Sequence, residues 1–304
     1  KAKALEYYEK AFALDNSDAR ILMELDQLYK RLNKDVQERL QCLEQHLEVA
    51  KQRDDVYLER AALYNFTGKH KEAHQQIMQR RFHPWEGGEG KVSGQYIYSL
   101  VEMAKTHIHK GDPAQAIPLL EEAQVYPENL GEGKLFGAKE NDIFYWLGVA
   151  HEQCGNSDVA TNYFKKASEG SSEPTAAMFY NDQPPDKIFY QGLAWKKLGK
   201  KETAREIFNN LVQYGKSHLN DSVKIDYFAV SLPDLLIFED DLDMRNKVHC
   251  YYMMGLGYLG LNNTAEAAAA FGKVLQLDNM HFGAKTHLNL VGAAIQNKTL
   301  EVGS

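Results

Sequence analysis

Apolar residues recur at intervals of three and four along nearly the whole chain, from Ala4, Tyr8 and Ala11 to about Gln296, and no stretch alternates with the period of two that a strand requires. The pattern predicts helices almost without interruption. Aligned on one another, the helical stretches share a frame: a small residue, an aromatic or His three later, Gly or Asn four beyond that, Ala after five more, then a large apolar residue after a further four. It runs Ala61-Tyr64-Gly68-Ala73-Ile77, Ala104-His107-Gly111-Ala116-Leu120, Gly148-His151-Gly155-Ala160-Phe164, Gly192-Trp195-Gly199-Ala204-Phe208 and Gly255-Tyr258-Asn262-Ala267-Phe271. Two antiparallel helices pack closely where a small residue lets the backbones approach and a large one fills the neighbouring gap. Gly or Asn between them supplies the positive-φ exit of the first helix. Residues 19–50, with Leu22, Leu25 and Tyr29, read as a degenerate pair of the same kind.

The second helix of each pair needs a start, and the turns provide one. Asp112-Pro113 offers an N-cap followed by Pro at the first helical position, and Asn263-Thr264-Ala265-Glu266 has capping-box form. Ile77, Leu120, Phe164 and Phe208 are 43, 44 and 44 residues apart, and 63 separate Phe208 from Phe271. The loops between pairs, Phe82 to Gln95, Tyr126 to Asn141 and Glu169 to Lys187, therefore carry inserted residues. Two of them repeat a word, Gly88-Glu89-Gly90-Lys91-x-x-Gly94 and Gly131-Glu132-Gly133-Lys134-x-x-Gly137, in phase with the helices. A loop in register with its helices belongs to a repeat array, which turns the expected function from chemistry towards binding.

Composition adds exclusions. A net charge of −7 with acids and bases interspersed leaves no electrostatic footprint for nucleic acid or an anionic membrane. No apolar run approaches the roughly 18 residues of a spanning helix. Cys42, Cys154 and Cys250, each inside an apolar helical stretch, read as reduced thiols. A cytoplasmic location is the expectation. The chain opens on Lys1 with Ala4, Tyr8 and Ala11 already spaced as the second helix of a pair, so the sequence is expected to be a segment of a longer protein.

The frame resembles the tetratricopeptide repeat, with units longer than the usual ~34 residues. The resemblance implies an all-α, right-handed superhelix of antiparallel helix pairs with extended inter-repeat loops. The expected organisation is one domain over 1–304. It comprises degenerate repeats at 1–50, repeats with long inserts at 54–215, an insertion at 216–244, and a last repeat with its capping helix at 245–297. Three words, Arg81-Phe82-His83-Pro84-Trp85-Glu86-Gly87-Gly88-Glu89-Gly90-Lys91, Phe179-Tyr180-Asn181-Asp182-Gln183-Pro184-Pro185 and Asp226-Tyr227-Phe228-Ala229-Val230-Ser231-Leu232-Pro233, are similar to the C-terminal region of large bacterial tetratricopeptide proteins. Those carry, upstream, a carbohydrate-enzyme-like domain of unknown function, which implies a sugar-related setting.

In such repeats the fifth position of each first helix meets the ligand. Here it holds Leu58, Val101, Tyr145, Phe189 and Tyr252. The Lys and Asn that clamp a peptide carboxylate are missing from these positions, which argues against a chaperone-tail adaptor. The apolar groove would bind an apolar peptide or be filled by the protein's own loops. The loop Arg81, Phe82, His83, Pro84, Trp85, Glu86 combines a ring, a carboxylate and donors as a sugar site does, although Phe82 and Trp85 could equally anchor the loop. The lysines of the repeated word are followed by Val92 and Leu135 rather than Ser or Thr, so a phosphate-binding loop is excluded. His70 and His74 lie one helical turn apart without the Glu of a zinc-protease helix and read as surface residues, and Glu239 to Asp243 lacks the alternation of a calcium loop. Asp241 and its neighbours are expected to cap a helix beginning near Met244. The sequence thus predicts a non-catalytic interaction or docking scaffold without metal or cofactor. Its partner would be a protein or peptide, the upstream domain of the same chain, or, in the alternative reading as an accessory module, a saccharide. The ligand-binding candidates are Arg81, His83, Trp85, Glu86, Tyr145, Phe189 and Tyr252.

Overall fold

The computed structural model describes residues 2–85, 87–176, 182–223 and 241–302, with side chains in the last helix described as far as Ala293. Among the described residues every regular element is a helix. The chain divides into two compact units. The first is built from the described parts of Lys1–His107 and from Pro118–Phe136, the second from Ile108–Ile117 and the described parts of Gly137–Pro233 and Glu239–Ser304.

The first unit contains α1 (Ala2–Leu14), α2 (Ala19–Arg31), α3 (Val36–Gln45), the one-turn α4 (Leu47–Ala50), α5 (Asp54–Phe66) and α6 (His70–Met78). Most of α7 (Lys91–His109), the end of α8 (Pro113–Glu122) and a 3-10 turn at Glu128–Leu130 complete it. Asp18 starts α2 by accepting from Arg20 N and Ile21 N, and Asp35 starts α3 by accepting from Gln37 N and Glu38 N, which satisfies donors that a helix start leaves open. The interior holds Leu22, Leu28, Leu43 and Leu63 and, fully buried among them, Arg39. Its guanidinium donates to both oxygens of Asp26 (3.0 and 2.7 Å) and to Glu59 (2.7 Å), which also accepts from Lys30 at 3.0 Å. Burial alone would raise the Glu59 carboxyl, but Lys30 and Arg39 hold it down at about 2. A buried cation is tolerable only in such company.

The second unit contains α9 (Asn141–Gln153), α10 (Ser157–Ala167), α11 (Pro185–Lys197), α12 (Lys201–His218), α13 (Leu242–Gly260), α14 (Thr264–Leu277) and α15 (Phe282–Val302). Three of its helix pairs repeat one contact. A Cβ at Gly148, Gly192 or Gly255 would fall 2.5, 2.5 or 2.4 Å from the ring of Phe164, Phe208 or Phe271, so each ring lies directly on a glycine backbone. The exits between paired helices are Gly155 and Gly199, at φ 81° and 78°, and Asn262, at φ 63°. Asp241 accepts from Met244 N at 3.0 Å, and the helix that it caps begins at Leu242. Part of the longer interval between Phe208 and Phe271 lengthens the helices themselves, since α12 has 18 residues and α13 has 19, against 11 in α10 and 13 in α9. The remainder, and the word beginning at Asp226, lie outside the described residues.

The two copies of the repeated word differ in conformation. In the first, Gly90 has φ 72° and the next residue opens α7; in the second, Gly131 has φ 74° and α9 begins only at Asn141. They are linked through Glu132, whose carboxylate accepts from Gly90 N at 2.7 Å and Ser93 N at 2.8 Å. One copy thus caps the helix that the other copy starts, with negative charge at the helix N-terminus where the dipole favours it.

Candidate functional site

In the first unit, the loop after α6 is fixed from beneath. Phe82 is buried; its N–H donates to Asn129 O at 2.8 Å, and Asn129 Nδ2 in turn donates to Ile77 O and Arg80 O. Asp54, at the start of α5, pairs with Arg80 and accepts from His83 N at 2.8 Å, with His83 Nδ1 3.2 Å away. Burial opposes ionisation of Asp54, but the His83 N–H and the Arg80 guanidinium outweigh it and hold the carboxyl below its usual range. Arg80 also lies 4.4 Å from the ring centroid of Tyr57. On this base Arg81 and His83 remain exposed, the His83 side chain by 81%. Trp85 is half-buried, with its indole so close to Gly88 that a Cβ there would sit 2.3 Å from the ring. Glu86, the fourth candidate of this loop, lies outside the described residues.

The fifth-position residues go inward. Leu58, Val101, Phe189 and Tyr252 are buried and Tyr145 is half-buried. In the second unit each ring packs on the second helix of its own pair, Tyr145 on Phe164 (5.9 Å between centroids), Phe189 on Phe208 (5.8 Å) and Tyr252 on Phe271 (6.1 Å). Tyr145 also meets Trp146 and Tyr190, and burial pushes its hydroxyl up. The Trp146 indole donates to the Tyr190 hydroxyl at 3.3 Å.

The polar groups beside this aromatic row stand one turn earlier on the same helices. Asp142 of α9 and Asp186 of α11 share Lys187, which forms an ion pair with Asp142 and lies 3.7 Å from Asp186; all three are half-buried. Burial pushes the Asp186 carboxyl up, while Lys187 is raised because the two carboxylates outweigh the burial that opposes its charge. The loop after α10 is tied down nearby by side-chain amides. Asn141 Nδ2 donates to Ala167 O and Glu169 O (2.9 Å each), Gln183 Nε2 to Asn141 Oδ1 (3.0 Å) and Gln191 Nε2 to Glu169 O (2.6 Å). These buried amides meet the backbone that an inserted loop would otherwise leave unpaired.

Residues 142–169, 188–214 and 248–279 match sequence models of the tetratricopeptide repeat. Three of the helix pairs are tetratricopeptide repeats. All three lie in the second unit, where the glycine–phenylalanine contact recurs. The chain is also similar to solved structures. It aligns with a tetratricopeptide repeat protein from Parabacteroides merdae at 14% identity and a TM-score of 0.44, over 95% of this chain and 91% of that one. The C-terminal part of a repeat-containing protein from Cytophaga hutchinsonii aligns at 15% identity and 0.39, over 93% and 92%. The APC/C hetero-tetramer Cut9-Hcn1 aligns at 14% and 0.40; this chain is covered over 96% but spans only 46% of that one. Among the described residues no helix is long and apolar enough to cross a membrane.

Sequence reasoning missed the Asp142, Asp186 and Lys187 cluster, although a signal was present. Asp142 and Asp186 each stand six residues before the small residue of the tetratricopeptide frame, as does His249. It also read His70 and His74 as surface groups. Both are half-buried, His70 beside Asn65 Oδ1 at 3.2 Å and His74 stacked on Tyr96.

Proposed function

We propose that the chain is a non-catalytic scaffold that binds a protein or peptide, with the second unit as its binding part. The observation that carries this reading is the run of three tetratricopeptide helix pairs with a common glycine–phenylalanine contact, because stacked pairs of one geometry present equivalent positions along an extended surface. The partly exposed edge formed by Tyr145, Asp142, Asp186 and Lys187 is the ligand-facing patch within it. Two carboxylates to one ammonium favour a partner that brings a positive charge. Affinity capture on the immobilised chain, run in parallel with Asp142→Lys, tests this. A partner retained by the parent chain and lost by the variant supports the reading, whereas a set of partners identical for both overturns the patch.

A second reading, an accessory saccharide-binding surface serving an upstream domain, is favoured by the Arg81–Trp85 loop, where Phe82 and Asp54 fix the backbone while Arg81 and His83 stay exposed. Trp85→Ala should then abolish saccharide binding without loss of helicity. A fall in stability with no saccharide bound by either protein would assign Trp85 to anchoring.

A further inference from the structure

The start of α15 is built around one side chain of α13. A Cβ at Gly283 would fall 2.2 Å from the Tyr252 hydroxyl, the His281 ring lies 4.6 Å from the Tyr252 ring, and His287 Nδ1 lies 3.3 Å from the same hydroxyl. The first turn of α15 therefore wraps the end of Tyr252. One turn in, the buried His287 ring is within 5.2 to 6.1 Å of Phe189 and Tyr190 of α11, Tyr252 of α13 and Phe271 of α14. Through this imidazole α15 covers aromatic side chains that belong to two of the tetratricopeptide first helices.

The turn is held shut by a histidine in a role usually given to Ser, Asp or Asn. His281 precedes α15, and its Nδ1 accepts from Ala284 N at 3.0 Å, the N-cap bond to the third helical residue. An imidazole can accept there only while Nδ1 carries no proton. Protonation replaces the acceptor with a donor and sets a cation at the positive end of the helix dipole. The groups facing His281 divide. Asp278, at the end of α14, favours the cation; His249 of α13 opposes it, and Tyr252 supplies a neutral ring. His249 is itself engaged through Nε2 with Thr175 O at 2.8 Å, which fixes it in the cluster.

We propose that His281 is an acid-sensitive clasp: protonation removes the cap of α15, its first turns open, and the Phe189, Tyr190 and Tyr252 side chains that it covers become exposed. Burial lowers His281 against the Asp278 charge and lowers His249 against its bond to Thr175 O, so the folded state favours the neutral rings. With a depressed folded value, the contribution is intact above the ordinary histidine range near ~6.5 and is lost as pH falls through the folded value below it. The inference rests on the second unit being a binding scaffold, but opening is measurable with no partner present, so the two readings fail separately.

Hydrogen exchange on the whole chain at pH 7.5 and 5.0, corrected for the intrinsic rate, tests it. Protection of amides 282–293 should fall at least tenfold at the lower pH while α9 and α10 keep theirs. His281→Asp, whose carboxylate accepts at both pH values, should remain protected, and His281→Ala should be weakly protected at both. Equal protection of the parent chain at the two pH values overturns the clasp. So does an equal loss in His281→Asp, or a loss in α9 and α10 as large as in α15, which would be general acid unfolding.

Discussion

The two units solve the same packing problem with different materials. In the second, a phenylalanine ring rests on a helix glycine three times over. In the first, the corresponding frame positions are Ala61 with Ile77 and Ala104 with Leu120, all fully buried, and the neighbouring helices α2, α3 and α5 are joined by the guanidinium of Arg39 between Asp26 and Glu59. The glycine–ring contact is local, cheap to repeat and recognisable in sequence. The ion trio is assembled once from three helices and leaves no periodic trace. The repeat matches fall in the second unit, where the glycine–ring contact recurs.

The comparison can be broken most forcefully at Arg39. Arg39→Met strands the buried Asp26 carboxylate and leaves Glu59 with Lys30 alone, and should cost about 3–5 kcal/mol, read as a fall in the urea midpoint. Adding Asp26→Leu and Glu59→Leu should recover most of it, since the buried charges leave together and Lys30, with an exposed side chain, keeps its ammonium in water. Because the folded Glu59 carboxyl is held at about 2, its contribution is present above the usual glutamate range and lost as pH falls from about 4.5 towards 2. Acid titration of Glu59→Gln should show that slope flattened.

In the second unit, Gly192→Ala improves helix propensity yet drives a methyl into the Phe208 ring, for a net cost of about 1–3 kcal/mol. Gly192→Ala with Phe208→Ile recreates the pair found at Ala61 and Ile77 and should regain part of the loss, which calorimetry would show. If the single variant were as stable as the parent, the glycine would be dispensable and the contrast between the units would collapse. The smallest expected effect is at Glu132. Removing its carboxylate with Glu132→Ala should cost about 0.5–2 kcal/mol and loosen the amides of Gly90 and Ser93 in hydrogen exchange.

Most of the helical architecture was legible because the frame couples backbone conformation to residue type. Gly155, Gly199 and Asn262 all take the positive φ that their position in the frame demands. The fate of the fifth-position rings was not legible. Phe189 has the same spacing whether it lines an open groove or packs on Phe208, and only the position of α15, with His287 beside it, distinguishes the cases. Likewise, nothing in Gly131-Glu132-Gly133-Lys134 indicates that its carboxylate serves a helix start 42 residues earlier, because a cap supplied from a distance has no local spacing rule.

That remote cap bears on how the chain is made. At the usual ~5–20 residues per second of synthesis, Glu132 follows Gly90 out of the ribosome by roughly 2–8 s. During that interval the nascent α7 must begin with its first donors open to water. The start of α7 is therefore completed only once Glu132 has emerged, and a pause in translation shortly after residue 109 would prolong the life of an intermediate that lacks this cap.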